Sequence, residues 1–278
     1  MLRFAAGLML LSGLAWLCGC DSREPYQRKD GHWAFEDRPL GDGRVDQLSV
    51  LNRRFAKTAT QAFYRHAPID EADAASFEAL DEHHARDRHR VYHADTYRDS
   101  QDYFTTQRIR LKVLADADPA SFRLLEQGYA RDAHHLYFDG QAFAVRDVAS
   151  FEVLEHGFAR DQHSGYYLRA PVRDSDGSRF EVLAPHYAKD ARHAFFADLD
   201  YRRSGPARVR TRRLTGAELA TFKVLERGYA VDAGRVYWEG EPVPGADSAS
   251  FSLLPSSTGD ADAHDAQRRY QRGRPLAS

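Results

Sequence analysis

The segment from Asp118 to Asp132, DPASFRLLEQGYARD, returns 29 residues later as DVASFEVLEHGFARD from Asp147 to Asp161. The frame recurs from Asp176 to Asp190 and from Glu218 to Asp232, with a less regular copy from Asp73 to Asp87. One apolar column reads Leu48, Phe77, Phe122, Phe151, Phe180, Phe222, Phe251; three residues on, every copy has leucine, from Leu51 and Leu80 to Leu254. An acidic column reads Asp87, Asp132, Asp161, Asp190, Asp232, with Asp30 as an earlier copy and Thr58 as the exception. Five residues later stands an aromatic: Phe35, Phe63, Tyr92, Tyr137, Tyr166, Phe195, Tyr237. Four columns in phase through seven copies make this a repeat protein.

Each unit reads as three short strands. Ser150–Leu154 is rich in aromatic and branched residues, the aromatic pair after the Asp (Val236-Tyr237-Trp238) is a second strand, and Ala142–Val145 is a third. Asp139-Gly140 and Glu239-Gly240 supply turns between them. No stretch of the body sustains a helical period. One such unit cannot bury its aromatic face alone, so neighbours must share it. The expected fold is all-β: tandem units in an open, stacked or superhelical array. A propeller-like closed ring is the alternative, made less favourable because blades ordinarily take 40 residues or more. The Asp column is expected to be structural, each carboxylate accepting turn N–H groups.

Tyr187-Ala-Lys-Asp190-Ala-Arg-His-Ala-Phe195-Phe196 and Tyr129-Ala-Arg-Asp132-Ala-His-His-Leu-Tyr137-Phe138 resemble the repeat of the DKNYY family. That family takes its name from an Asp-Lys-Asn-x-x-Tyr-Tyr core, followed by a Gly turn and an Asp-x-x-Ser/Thr-Phe start. The resemblance spans about residues 26–254 and implies a bacterial surface or envelope lipoprotein with no catalytic residues to carry over. In this chain the Lys-Asn pair is replaced by Ala-His, Arg-His or Gln-His.

The N-terminus agrees with that implication. Arg3 precedes an uncharged run from Phe4 to Leu17, too short for a comfortable bilayer span and of signal-peptide length. Leu17-Cys18-Gly19-Cys20 resembles the lipobox of bacterial lipoproteins, which implies cleavage before Cys20 and lipidation of its sulfur. The expected organisation is a signal peptide over 1–19, a lipidated tether over 20–25, the repeat domain over 26–254, and a disordered tail over 255–278. Asp21 mildly favours retention in the inner membrane, with the body facing the periplasm. Cys18 and Cys20 are the only cysteines, so the body can hold neither a disulfide nor a Cys-ligated metal.

Among candidates for chemistry, His32, His89, His134 and His163 stand two residues after the acidic position, but Thr60, Arg192 and Gly234 break the column. These, like the His83, His84, His89, His93 cluster, are expected to be structural or exposed, with no metal or cofactor. No catalytic motif is present, so an enzyme is not expected. The net charge of −2 argues against nucleic acid as a partner. Two units are stretched at the same point, and each insertion carries a basic strand: Arg108, Arg110, Lys112 in one, Arg208, Arg210, Arg212, Arg213 in the other, with Arg202 and Arg203 nearby. Alternation places the charges on one face of a hairpin expected to project from the array. These residues are candidates for binding an envelope protein, a glycan or a lipid head group. The expected function is a membrane-anchored envelope lipoprotein acting as a binding or scaffold module; the alternative is a metal-binding or enzyme-accessory protein using the turn histidines.

Overall fold

The computed structural model describes residues 24–98, 107–200, 208–255 and 260–276. They form eight small antiparallel sheets in chain order. The first has three strands over residues 26–39. Seven four-stranded sheets follow over 49–69, 78–113, 123–143, 152–171, 181–213, 223–242 and 252–275; these are sheets 2 to 8. Within each sheet the strands succeed one another as a meander, and no sheet closes into a barrel. The described residues contain no helix long and apolar enough to cross a membrane.

The sheets between the first and the last are covered on both faces. Successive residues of one strand serve different neighbours: in sheet 4, Tyr129 packs toward Phe151 of sheet 5, and Ala130 packs with Phe122 toward sheet 3. Seven buried clusters result, each shared by one consecutive pair of sheets. Eight sheets in a closed ring would need eight such clusters, so the array is open. Inside the later clusters the Phe column is sandwiched between two aromatics. Phe151 lies 5.6 Å from Tyr129 and 5.9 Å from Tyr166, and Phe222 lies 6.1 Å from Tyr187 and 5.9 Å from Tyr237. The rings are tilted, the arrangement their quadrupoles favour.

Four strands in each of sheets 2 to 8, rather than three, correct the sequence expectation. The missing one is the Tyr/Phe-Ala-Arg/Lys segment before the Asp, such as Tyr129–Arg131. Its alanine is always opposite the following aromatic: Ala56↔Phe63, Ala130↔Tyr137, Ala159↔Tyr166, Ala230↔Tyr237. A large ring over a fully buried methyl fills the gap between sheets.

Two boundary readings also change. Residues 260–276 are not a disordered tail: Ala263–His264, Arg269–Gln271 and Arg274–Pro275 complete sheet 8 with Ser252–Leu253. Asp265 and Tyr270 fall in the acidic and aromatic columns, hidden because this unit is four residues longer between Phe251 and its Asp. Asp30 is not a copy of the acidic column. Tyr26 pairs with Phe35, as Tyr129 pairs with Phe138, which puts Lys29 at the Asp place; Asp30-Gly31 is an exposed two-residue turn with φ of 50° and 87°.

The Asp column ties together the units that carry it. Asp161 Oδ1 accepts the N–H groups of His163 and Ser164, both at 2.8 Å. Its Oδ2 accepts the Tyr166 hydroxyl at 2.7 Å and the N–H groups of Arg146 and Asp147 at 3.0 Å. One carboxylate thus holds the turn between the second and third strands, the core tyrosine, and the linker from the preceding sheet. Asp87, Asp132 and Asp265 repeat this pattern, and Asp190 keeps all of it but the hydroxyl, since Phe195 stands there. Burial alone would raise the pKa of Asp132; the backbone donors of Asp118, His134 and His135 and the Tyr137 hydroxyl outweigh it and hold the carboxyl down at about 2.

Replacing Asp161 by Ala leaves buried donors without an acceptor and is expected to cost about 3–5 kcal/mol in urea unfolding. Tyr166→Phe, which imitates sheet 6, is expected to cost only about 1 kcal/mol. Hydrogen exchange in Asp161→Ala should rise in sheet 5 and its neighbours while residues 26–69 keep their protection. A uniform rise would count against the nearest-neighbour array.

Candidate functional site

The two long hairpins belong to sheets 3 and 6. Val91–Arg98 pairs with Gln107–Val113, and Ala194–Asp200 pairs with Arg208–Arg213. In ordinary units the chain turns two residues after the aromatic, on a left-handed residue such as Asp139 or Glu239. In the stretched units Ala94 and Ala197 occupy that place and the strand runs on. Both units also carry a histidine four residues before the Asp. His83 Nδ1 is 3.0 Å from Ala94 O, and His186 Nδ1 is 2.9 Å from Ala197 O. These histidines stand where sheets 4, 5 and 7 have Gly128, Gly157 and Gly228, so their coincidence with the two insertions was a signal available in the sequence.

The described strands of the hairpins do not stand clear of the array as expected. Ile109 and Leu111 pack on the cluster between sheets 2 and 3, and Val209 packs on that between sheets 5 and 6. The basic face meets acids. Arg110 makes a two-pronged pair with Asp95, Nε at 3.0 Å and Nη2 at 2.5 Å, and stacks 5.5 Å over Tyr97. Arg210 grips Asp198 at 2.8 and 2.6 Å, and Glu239 of sheet 7 lies 3.8 Å away. Arg212 pairs with Glu241 of sheet 7, and Arg213 lies 3.5 Å from Asp174 in the linker before sheet 6. Arg108 is opposite Tyr97, Lys112 opposite His93, and Arg208 opposite Asp200. The seven candidates therefore form two separate groups, on sheets 3 and 6. Arg202 and Arg203, Cys20 and Asp21 lie outside the described residues.

The turn histidines His89, His134 and His163 give their backbone N–H groups to the Asp carboxylates while their rings face outward. The described residues contain no group of three or more Cys, His, Asp or Glu that could hold a metal ion.

Of the His83, His84, His89, His93 cluster, expected from the sequence to be structural or exposed, two members form a buried pair that sets sheet 3 apart. Phe55↔Tyr64, Tyr129↔Phe138, Phe158↔Tyr167, Tyr187↔Phe196 and Tyr229↔Trp238 are cross-strand aromatic pairs facing the next sheet. Sheet 3 has His84↔His93 there. Both are buried, at 5% and 6% exposure, with ring centroids 4.8 Å apart. His84 Nδ1 reaches Asp81 at 3.1 Å, but His84 Nε2 and His93 Nδ1 have no hydrogen-bond partner. The His93 ring lies on Gly140 of sheet 4, where any Cβ would come within 2.2 Å of it. Burial, then the neighbouring His84, His83 and Lys112, opposed by Asp95, push the His93 pKa down to about 4.

The family model described as the DKNYY family matches residues 55–198, more than half of the chain. No curated protein and no solved structure matches it.

Because His93 ionises at a lower pH folded than unfolded, the unfolded chain binds the extra proton between about pH 6.5 and about pH 4. Stability falls as pH drops through that window. The loss is expected to be about 2–3 kcal/mol from this residue. His66, lowered by burial and by Arg38 and Arg65, adds to the same slope. The depressed carboxyls of Asp81 and Asp132 act lower, from about pH 3.8 down to about 2. Phe196 sits on Gly240 as His93 sits on Gly140, so His93→Phe should fit and flatten the upper window. Urea midpoints at pH 7.5 and pH 5 test this; an unchanged difference would show that His93 does not carry the slope.

Proposed function

This chain belongs to the DKNYY family, and from that premise we propose that it is a membrane-anchored envelope lipoprotein whose repeat body binds a partner and catalyses no reaction. The observation that carries this reading is the use to which the recurrent polar groups are put. The Asp carboxylates, which as a column would be the natural catalytic or metal-binding set, are occupied by internal N–H and O–H donors. A carboxylate with its lone pairs so engaged and its pKa depressed is a poor general base. What remains for function is surface: the turn edge, the linkers, and the strands of the long hairpins.

The lipobox-like Leu17-Cys18-Gly19-Cys20 supports attachment to a bacterial membrane through the Cys20 sulfur, and Asp21 favours the inner membrane with the body facing the periplasm. Two or more acyl chains on one residue hold a protein stably at a bilayer. The partner on this reading is an envelope protein, a glycan or a lipid head group. Of the candidate basic residues, Lys112 and Arg208 are the better placed to meet it, since Arg110, Arg210 and Arg212 hold carboxylates at short range and Arg213 lies 3.5 Å from Asp174. No observation favours the alternative of metal binding through the turn histidines.

Growth with labelled palmitate should label the wild-type chain and leave Cys20→Ala unlabelled, unprocessed and larger by the signal segment. Label on the Cys20→Ala chain would remove the lipoprotein reading.

A further inference from the structure

Two sheet-to-sheet junctions leave a groove on the turn edge, between a linker and the turn of the next sheet. At sheets 1 and 2 that groove, of 700 Å³, contains Asp42 and Asp46 against one arginine, Arg44. At sheets 5 and 6 the corresponding groove, of 740 Å³, contains Arg146, Arg173, Arg192 and Arg213 against one acid, Asp174. The fold thus permits either sign, and a chain of net charge −2 has gathered four guanidinium groups in one place.

We propose that this groove is a binding site for phosphate-bearing ligands, recognised by Arg146, Arg173, Arg192 and Arg213. The proposal deepens the binding-module reading and rests on it only in taking the repeat body to act by binding.

The four arginines come from four different segments, and three have their backbones pinned. The Arg146 N–H donates to Asp161 Oδ2 and to the Tyr166 hydroxyl oxygen, both at 3.0 Å, and the Arg192 N–H donates to Asp190 Oδ1 at 2.7 Å. Arg173 follows Val172, which is 2% exposed and donates to Gly165 O at 2.8 Å. Arg213 ends the fourth strand of sheet 6, opposite Phe195. The side chains of Arg146, Arg173 and Arg192 are exposed, and none makes an ion pair among the described residues. Among the described residues Arg213 pairs with Asp174 alone, at 3.5 Å. His193 adds a ring whose buried Nδ1 lacks a hydrogen-bond partner, 3.9 Å from Asp190.

Like charges gathered with so little compensation raise one another's energy, and a bound anion removes that repulsion. Guanidinium groups present paired N–H donors matched to carboxylate and phosphate oxygens. One carboxylate would satisfy one arginine, whereas a phosphate or diphosphate offers enough oxygens and charge for several. The ligand can be a soluble phosphate compound or the phosphate of a lipid head group, and the two sources separate experimentally.

The test titrates the full chain with inorganic pyrophosphate by calorimetry, and sediments it with vesicles of phosphatidylglycerol or of phosphatidylcholine. Saturable pyrophosphate binding is expected, weakening with added salt and falling at least tenfold in Arg146→Ser/Arg173→Ser/Arg192→Ser. The control Arg44→Ser/Arg123→Ser/Arg274→Ser removes the same charge elsewhere and should keep wild-type affinity. Sedimentation with phosphatidylglycerol alone, lost in the groove variant and kept in the control, assigns the phosphate to a head group. Pyrophosphate binding without that sedimentation assigns it to a soluble compound. No saturable binding of either probe, or equal loss in both triple variants, overturns the proposal. Both measurements use the full chain carrying Cys20→Ala, which has no acyl anchor to hold it to vesicles, so failure here and failure of the anchor remain distinct.

Discussion

A buried carboxylate is costly unless every lone pair finds a donor, and in this protein that requirement organises the unit around it. Asp132 can stay ionised only because the turn presents the N–H groups of His134 and His135, the linker presents that of Asp118, and Tyr137 presents its hydroxyl. The same contacts fix where the linker enters the sheet and how deep the tyrosine sits. A second clip reinforces the first: the Ser121 hydroxyl donates to Asp118 and accepts the Ala133 N–H at 3.0 Å. The exception fits the rule. In sheet 2, Thr58 replaces the Asp and accepts only from Thr60 and Gln61, and the aromatic facing it is Phe63, which has no hydroxyl to place.

Stacking follows from that local geometry. With the core tyrosine fixed on one face, the aromatic at the start of the second strand points to the other and completes the next unit's sandwich. Tyr26, Tyr129 and Tyr187 also carry a hydroxyl across to a carbonyl of the following sheet, at 2.6 to 2.8 Å. His84 occupies this position in sheet 3, and the junction it forms with sheet 4 leaves His84 Nε2 and His93 Nδ1 buried without a partner among the described residues.

The Phe, Leu, Asp and Tyr columns were legible in the sequence because each is one residue type at fixed spacing, and they suffice for an open β array. The Tyr-Ala-Arg strand was not, because three residues with a single large apolar side chain show no alternation to detect. Sheet 8 was hidden by a four-residue lengthening that moved Asp265 out of phase, and sheet 1 by a one-residue slip that made Asp30 a false match. At the candidate surface, the basic alternation of both hairpins was plain. Their acidic partners, Asp95 and Asp198 on the opposing strand and Glu239 and Glu241 in the next sheet, depend on register and stacking. The arginines of the groove left a fainter trace: Val145-Arg146-Asp147 and Val172-Arg173-Asp174 repeat one tripeptide in successive linkers.

Because every cluster is shared by only two consecutive sheets, each junction needs a match between one unit's outgoing aromatic and the next unit's Phe, and nothing more distant. Such a chain can grow or shrink by gene duplication or deletion only in whole sheets, with repacking confined to one seam. A cut at any other place leaves an Asp without its linker or a Phe without its second ring. Its length over evolutionary time is therefore quantised.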